Sequence, residues 1–275
     1  MGACHVGNSA EVSRLVQVPG LDIDYQNEHG FTAAYWATKM GQTECVRILA
    51  ETGRVDWNKR DKVGRTPLYM AIMTENFDIV DIIVGKPDID YNVKTELGIS
   101  LAHEAVGWGD VKCVETLAAL ETFDCWNVPN RDGETPMMIA ILESKTEILE
   151  ILLRCPRVDP DVDINPIGET AARLATMQGE TECVRMLAET GRVDWNQTDC
   201  YGYAPLNWAL MLGRSEIVDI ILEQPNIDLN GKNHVSQTLA HTAVTGGHVK
   251  CVEILAAHES FDSWNVPDYC YPVHS

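Results

Sequence analysis

His103 and His241 close the stretches "SLAH" and "TLAH", and a histidine so placed could act as a general base or a metal ligand. Cys4-His5, and Cys270 with His274, bring together two further metal-ligating types. The run "DPDVDIN", Asp159–Asn165, alternates carboxylates in the manner of a calcium loop. Each falls short of the chemistry it suggests. The Cys-His pairs lack the four-ligand spacing of a tetrahedral zinc site. The acidic run lacks the glycine turn and the closing bidentate Glu of an EF-hand, and reads as a solvated insertion. The chain carries no Walker loop, no GxGxxG after a strand, no GxSxG and no HExxH. The sequence therefore predicts a protein that is not an enzyme and takes no cofactor and no metal.

The 275 residues are 45% hydrophobic and 23% charged, an ordinary balance for a folded chain with a core. Against 21 basic residues stand 41 acidic ones, a net charge of −20. Contact along a phosphate backbone needs a basic face, so nucleic acid is excluded as the main partner, and an anionic membrane surface with it. The same field would steer a basic protein, and it is equally well explained by solubility. No apolar run reaches the length of a membrane span. "MGACHVGNSA" lacks the blocks of a secretory signal, and Val6 stands where a myristoylation pattern needs Ser or Thr. Cys45, Cys113, Cys183 and Cys251 each precede Val in an apolar helical pattern, which predicts small buried thiols in a reducing compartment. The expected location is the cytosol, with the nucleus as the alternative.

The elements that position all these residues come from a repeat. "GRTPLYMA" at Gly64 and "GETPMMIA" at Gly133 are its clearest punctuation, with degraded copies at Gly30, Gly98, Gly168, Gly202 and Ser236. Successive starts are 34, 34, 35, 35, 34 and 34 residues apart. Thr66 or Thr135 is a natural N-cap, and Pro67 or Pro136 fits the first helical position, where no amide donor is needed. A short helix then ends near Gly41, Gly109, Gly179, Gly213 or Gly247, where a left-handed residue is easily placed. A second helix follows, apolar at helical spacing as in Val46, Leu49 and Ala50. Segments such as "VDWN", "IDYN" and "IDLN" lead back to the next Gly, their Asp and Asn expected to bond local backbone in turns. Longer periods lie over this one. Thr43–Asn58 and Thr181–Asn196 agree at fifteen of sixteen positions, an offset of 138, which reads as block duplication. That doubled stretch is scaffold; information about partners should lie where the copies differ.

A 34-residue helix pair beginning Thr-Pro-Leu resembles the ankyrin repeat, and "SLAH" and "TLAH" supply the signature's His. The resemblance implies an all-α solenoid of seven helix pairs plus a partial N-terminal unit, curved, with projecting β-turn fingers. It runs as a single domain over 1–275. The partial unit occupies 1–29, units start near 30, 64, 98, 133, 168, 202 and 236, and a tail covers 266–275. It also implies that His103 and His241 are structural, each bonding the hydroxyl of its helix start (Ser100 or Thr238) or finger backbone. The Trp-Asn pairs would pack the aromatic on the neighbouring unit while Asn closes the turn. Asn58 and Asn196 match positions that asparaginyl hydroxylases modify in this family.

Function, on this resemblance, belongs to the concave face: finger tips beside each Gly and exposed ends of first helices. Those tips include Val63, Leu97, Pro166, Ile167 and Val235. The positions expected to bind a partner are Phe31, Met40, Arg65, Met73, Ile99, Trp108, Leu142, Met177, Tyr201, Tyr203, Met211 and Leu212. Solvent-facing Met, Trp and Tyr suit protein recognition, because adaptable and aromatic side chains supply the anchors. The expected function is a non-enzymatic scaffold for protein–protein interaction, monomeric, with self-association through its uncapped ends as a second state. The alternative is a structural spacer or targeting segment of a larger protein whose effector domain lies outside this chain.

Overall fold

The computed structural model describes residues 1–162 and 168–261. Pro166, Ile167, Cys270, His274, the last part of the 159–165 acidic run and Trp264-Asn265 lie outside the described residues, as does the 266–275 tail. Among the described residues there are sixteen α-helices, and the only strand-like pairing is one isolated antiparallel bridge between Lys94 and Ser100. The chain divides into two compact units, Met1–Pro136 and Met137–Ser275.

In the first unit the leading helix of each pair is α1 (Gly2–His5), α3 (Ala33–Lys39), α5 (Pro67–Met73) and α7 (Leu101–Trp108). Each is followed by its companion: α2 (Ser9–Leu15), α4 (Thr43–Glu51), α6 (Phe77–Val84) and α8 (Val111–Ala119). The second unit runs through α9 (Pro136–Leu142), α10 (Thr146–Arg154), α11 (Ala171–Gln178), α12 (Thr181–Glu189), α13 (Pro205–Met211), α14 (Ser215–Leu222), α15 (Leu239–Gly246) and α16 (Val249–Ala257). Leading helices pack on leading helices and companions on companions, so each unit is a solenoid of pairs.

The sequence explains this packing. The alanine seven places after each start, Ala37, Ala71, Ala105, Ala140, Ala175, Ala209 and Ala243, is 0% exposed in all seven copies. A methyl group there lets neighbouring leading helices approach closely. Thr32, Thr66 and Thr170 cap their helices, each hydroxyl accepting from an amide three residues on, at 3.0, 3.2 and 3.2 Å. Cys45, Cys113, Cys183 and Cys251 are buried free thiols, and burial pushes Cys113 up to about 12 and Cys183 up to about 11. They are inert packing groups at neutral pH.

The doubled stretch is scaffold for a specific reason: it bonds the repeats on both sides of it. Arg54 donates backward to the carbonyls of Val16 and Leu21, as Arg192 does to those of Leu153 and Val158. Asn58 reaches forward, its Nδ2 donating to the Asp88 carbonyl at 2.7 Å and its Oδ1 accepting from the Asp90 amide at 2.8 Å. Asn196 does the same with Asn226 and Asp228. These asparagines therefore fasten the next repeat, and do not merely close their own turn. Trp57, Trp126 and Trp195, one residue before the Asn in each copy, are buried.

Gly41, Gly109, Gly179, Gly213 and Gly247 take left-handed backbone at helix ends, whereas Glu75 (φ 54°) and Ser144 (φ 52°) hold that conformation at the same repeat position. A side chain there strains the backbone by about 1–2 kcal/mol. Glu75→Gly should therefore stabilise the protein by about 0.5 kcal/mol after glycine's greater unfolded entropy is subtracted, read as a higher urea midpoint at unchanged slope.

Candidate partner-binding surface

Five of the fingers among the described residues are built around one Asn or Asp side chain three residues before the start of the repeat. Asn27, Asp61, Asn130, Asp199 and Asn233 each accept from the backbone amides two and four residues on, at 2.8–3.1 Å. Neighbouring fingers are then tied together by backbone. In the first unit the amides of Lys62, Glu96 and Arg131 donate to the carbonyls of His29, Val63 and Leu97 at 3.2, 3.3 and 3.1 Å. In the second, the amide of His234 donates to the carbonyl of Tyr201 at 3.1 Å. The accepting carbonyl belongs to the tip residue itself, so the bond fixes the spacing of tip side chains.

Those tips are apolar and exposed: Val63 45% and Leu97 54% in the first unit, Tyr201 60% and Val235 51% in the second. Of the sequence-predicted positions, Met40, Trp108, Leu142, Tyr201 and Leu212 stand exposed. Phe31, Arg65, Met73, Ile99, Met177, Tyr203 and Met211 are half-buried. The structure thus separates tips and helix ends that face solvent from neighbours that support them. Trp108 belongs to the first group and is also held: its indole Nε1 donates to Glu104 Oε2 at 2.8 Å, and Tyr69 donates its hydroxyl to Glu104 Oε1. Burial, then the bond to Glu104, raises the Tyr69 pKa, so that phenol stays protonated. In the duplicated block the place of Trp108 is taken by Gly246, where a Cβ would lie 2.7 Å from the Leu210 carbonyl oxygen. The scaffold does not require a tryptophan there.

Two buried carboxylates, which the sequence does not single out, organise the fingers. Asp61 accepts at Oδ1 from the amides of Val63 and Arg65, and at Oδ2 from the Tyr35 hydroxyl (2.8 Å) and the Arg65 guanidinium (2.7 Å). Burial acts to raise its pKa, but the hydrogen bonds from Arg65, Tyr35 and Val63 outweigh it and hold the carboxyl below its usual value. Asp199, 138 residues on, holds the same position with the residue types around it exchanged, but here the tyrosine hydroxyl, that of Tyr203, donates to Gln237 Oε1 at 3.5 Å and not to the carboxylate. Arg173 stands where Tyr35 was and lies 3.4 Å from Asp199, while Tyr203 stands where Arg65 was. Trp208 Nε1 completes it at 3.0 Å, with Arg173 5.3 Å over the Trp208 ring and Tyr203 edge-on to that ring at 5.7 Å. The role of these carboxylates as ion-pair centres has no local signal, because the partner comes from the preceding helix.

The histidines behave as the repeat signature implies. His103 Nδ1 lies 2.7 Å from Ser100 Oγ and accepts from the Ser100 amide, and its Nε2 donates to the Glu134 carbonyl at 3.0 Å. Burial lowers its pKa, opposed by the Glu134 bond, so the ring is neutral and fully used. His241 Nδ1 lies 2.9 Å from Thr238 Oγ1. Among the described residues no cluster of His, Cys, Asp and Glu could hold a metal, and no helix is long and apolar enough to cross a membrane.

Comparison with known proteins agrees with this architecture. A family model described as "Ankyrin repeats (3 copies)" matches residues 1–95, 88–166 and 156–233. The chain belongs to the ankyrin repeat family. Human Rabankyrin-5 is 28% identical over 137 residues, which are 49% of this chain and 12% of that protein. The B-cell lymphoma 3 protein homolog of Mus musculus is 29% identical over 130 residues, 47% of this chain and 28% of that protein. The chain thus matches less than a third of either relative's length. The crystal structure of the ankyrin repeat domain of Bcl-3, a member of the IkappaB protein family, covers 83% of this chain and 100% of its own at a TM-score of 0.73. At 21% identity that likeness concerns the fold.

Proposed function

We propose that this chain is a protein-interaction module that holds a partner protein on its finger tips and on the exposed ends of its leading helices. Ankyrin repeats generally serve protein–protein interaction, and the finer reading rests on one observation. Val63 and Leu97 in one unit, and Tyr201 and Val235 in the other, expose apolar side chains on fingers whose spacing is fixed by backbone bonds. Rigid apolar and aromatic groups presented in this way lose little entropy on binding and make efficient anchors. Trp108, locked by Glu104, extends the first set, and Leu212 extends the second. The net charge of −20 favours a partner with a basic surface, chiefly through the rate of encounter.

Each set can be tested by itself. Leu97→Ala with Trp108→Ala, and Tyr201→Ala with Leu212→Ala, remove exposed side chains and should leave the melting midpoint within about 2 °C of wild type. A partner bound through either set should lose at least about tenfold in affinity, equivalent to one anchor of about 1.4 kcal/mol. Titration of the captured partner against both variants gives the answer. Unchanged affinity in both would remove the tips as the binding surface.

A further inference from the structure

In the first unit, the finger residue Phe31 and the helix residue Trp36 form two aromatic walls at 78°, with centroids 5.3 Å apart. His5 stands edge-on to Trp36 at 4.8 Å, and Phe31 is backed by Tyr35, stacked at 4.5 Å. Into this corner comes the ammonium of Lys39, 5.6 Å from the Phe31 centroid and 5.3 Å from that of Trp36. A cation at these distances is held by the negative faces of both rings.

Block duplication supplies an internal control on what this corner is for. The same repeat positions 138 residues on carry Glu169, Leu174 and Met177 in place of Phe31, Trp36 and Lys39. The counterpart helix in the second unit keeps the same kind of cap, Thr170 in place of Thr32, and the same buried alanine, Ala175 in place of Ala37, so helix packing does not demand the aromatic corner. It is a difference between copies placed beside an exposed helix end, Met40, that the binding surface already includes.

We infer that the Phe31–Trp36 corner is a recognition site for a lysine side chain of the protein partner, occupied in the unbound chain by the protein's own Lys39. Two perpendicular ring faces suit a compact ammonium, which touches both; a planar guanidinium stacks on one face and leaves the other unused. A strongly acidic chain attracts such a ligand, and Lys39, on a flexible stem beside an exposed helix end, can withdraw into water as the incoming ammonium takes its place. The identity of the ligand as part of a protein rests on the function proposed above; the site's chemistry does not.

The experiment uses the full chain and a short peptide with one central lysine, followed by amide shifts of residues 31–40 and by calorimetry. Parallel peptides carry arginine or norleucine at the same place. Lys39→Gln removes the internal competitor and should tighten binding of the lysine peptide about two- to fivefold, the factor of one exposed cation–π contact. Trp36→Leu, which copies the residue the second unit carries there, should abolish binding while keeping the fold. The norleucine peptide should not bind, and the arginine peptide should bind more weakly. Equal binding by wild type and Lys39→Gln, or binding that survives Trp36→Leu, overturns the assignment. A lysine peptide that binds Lys39→Gln while the tip variants leave the natural partner's affinity unchanged would support the corner and remove the tip reading, so the two are separable.

Discussion

Asp61→Ala should destabilise the protein by about 3 kcal/mol, the range for removing one member of a buried, hydrogen-bonded ion pair. The side chain is 1% exposed and accepts from two amides, a phenol and a guanidinium, so its removal leaves several donors without an acceptor. Arg65, 24% exposed, can regain water, which keeps the loss from being larger. The sign of the pH dependence follows from the depressed carboxyl. The unfolded chain binds this proton more tightly than the folded one, so the stabilisation is present above the ordinary Asp pKa of about 3.9 and disappears as pH falls below it. Urea midpoints of wild type should therefore drop more steeply than those of Asp61→Ala as the pH falls below about 4. A flat difference at acid pH would mean that the folded chain does not hold this carboxyl below its ordinary pKa, and a difference that grows on acidification would mean that it stays protonated in the folded state. Arg65→Tyr should also destabilise, and adding Tyr35→Arg should restore part of the loss, since Arg173 and Tyr203 hold those positions beside Asp199.

This pair shows where the sequence is transparent and where it is opaque. Register and helix starts are legible because they depend on single residues with local physics: a threonine hydroxyl three residues from an amide, a proline at a position lacking a donor, a glycine with positive φ. His103 was legible through the repeat signature, whose resemblance implied the bond to Ser100. Asp61 was not singled out in the sequence. Its bonds to Val63 and Arg65 are local, but the Tyr35 hydroxyl is 26 residues distant, and nothing in either neighbourhood announces it. The aromatic corner is similar: Phe31, Trp36 and Lys39 are near in sequence, yet only the turn from finger to helix brings the rings to 78°. Among the expected anchors, Tyr203 and Met211 are half-buried while Tyr201 and Leu212, each within two residues of one of them, are exposed. A shift of one or two residues across the finger decides that, and repeat alignment alone does not resolve it.

Gly202→Ala should cost about 2–4 kcal/mol and abolish binding by the Tyr201 finger even where the chain stays folded. Two separable effects meet there. The backbone sits at φ +81°, which strains any residue with a Cβ by about 1–2 kcal/mol. The added carbon would lie 2.8 Å from the His234 amide nitrogen and 2.9 Å from the Asn233 Cα, backbone atoms of the next finger that can yield only by moving that finger. The bond from the His234 amide to the Tyr201 carbonyl would open, and the spacing between Tyr201 and Val235 would go with it. Gly191→Ala isolates the first effect, because Gly191 has φ +61° and nothing within 4 Å of the Cβ position. It should lose only about 1–2 kcal/mol and keep the partner's affinity. The difference between the two variants in urea midpoint then measures the finger-to-finger contact itself. If Gly202→Ala behaved like Gly191→Ala in both stability and binding, the fingers would be independent projections, and the tip row would have no fixed spacing to offer a partner.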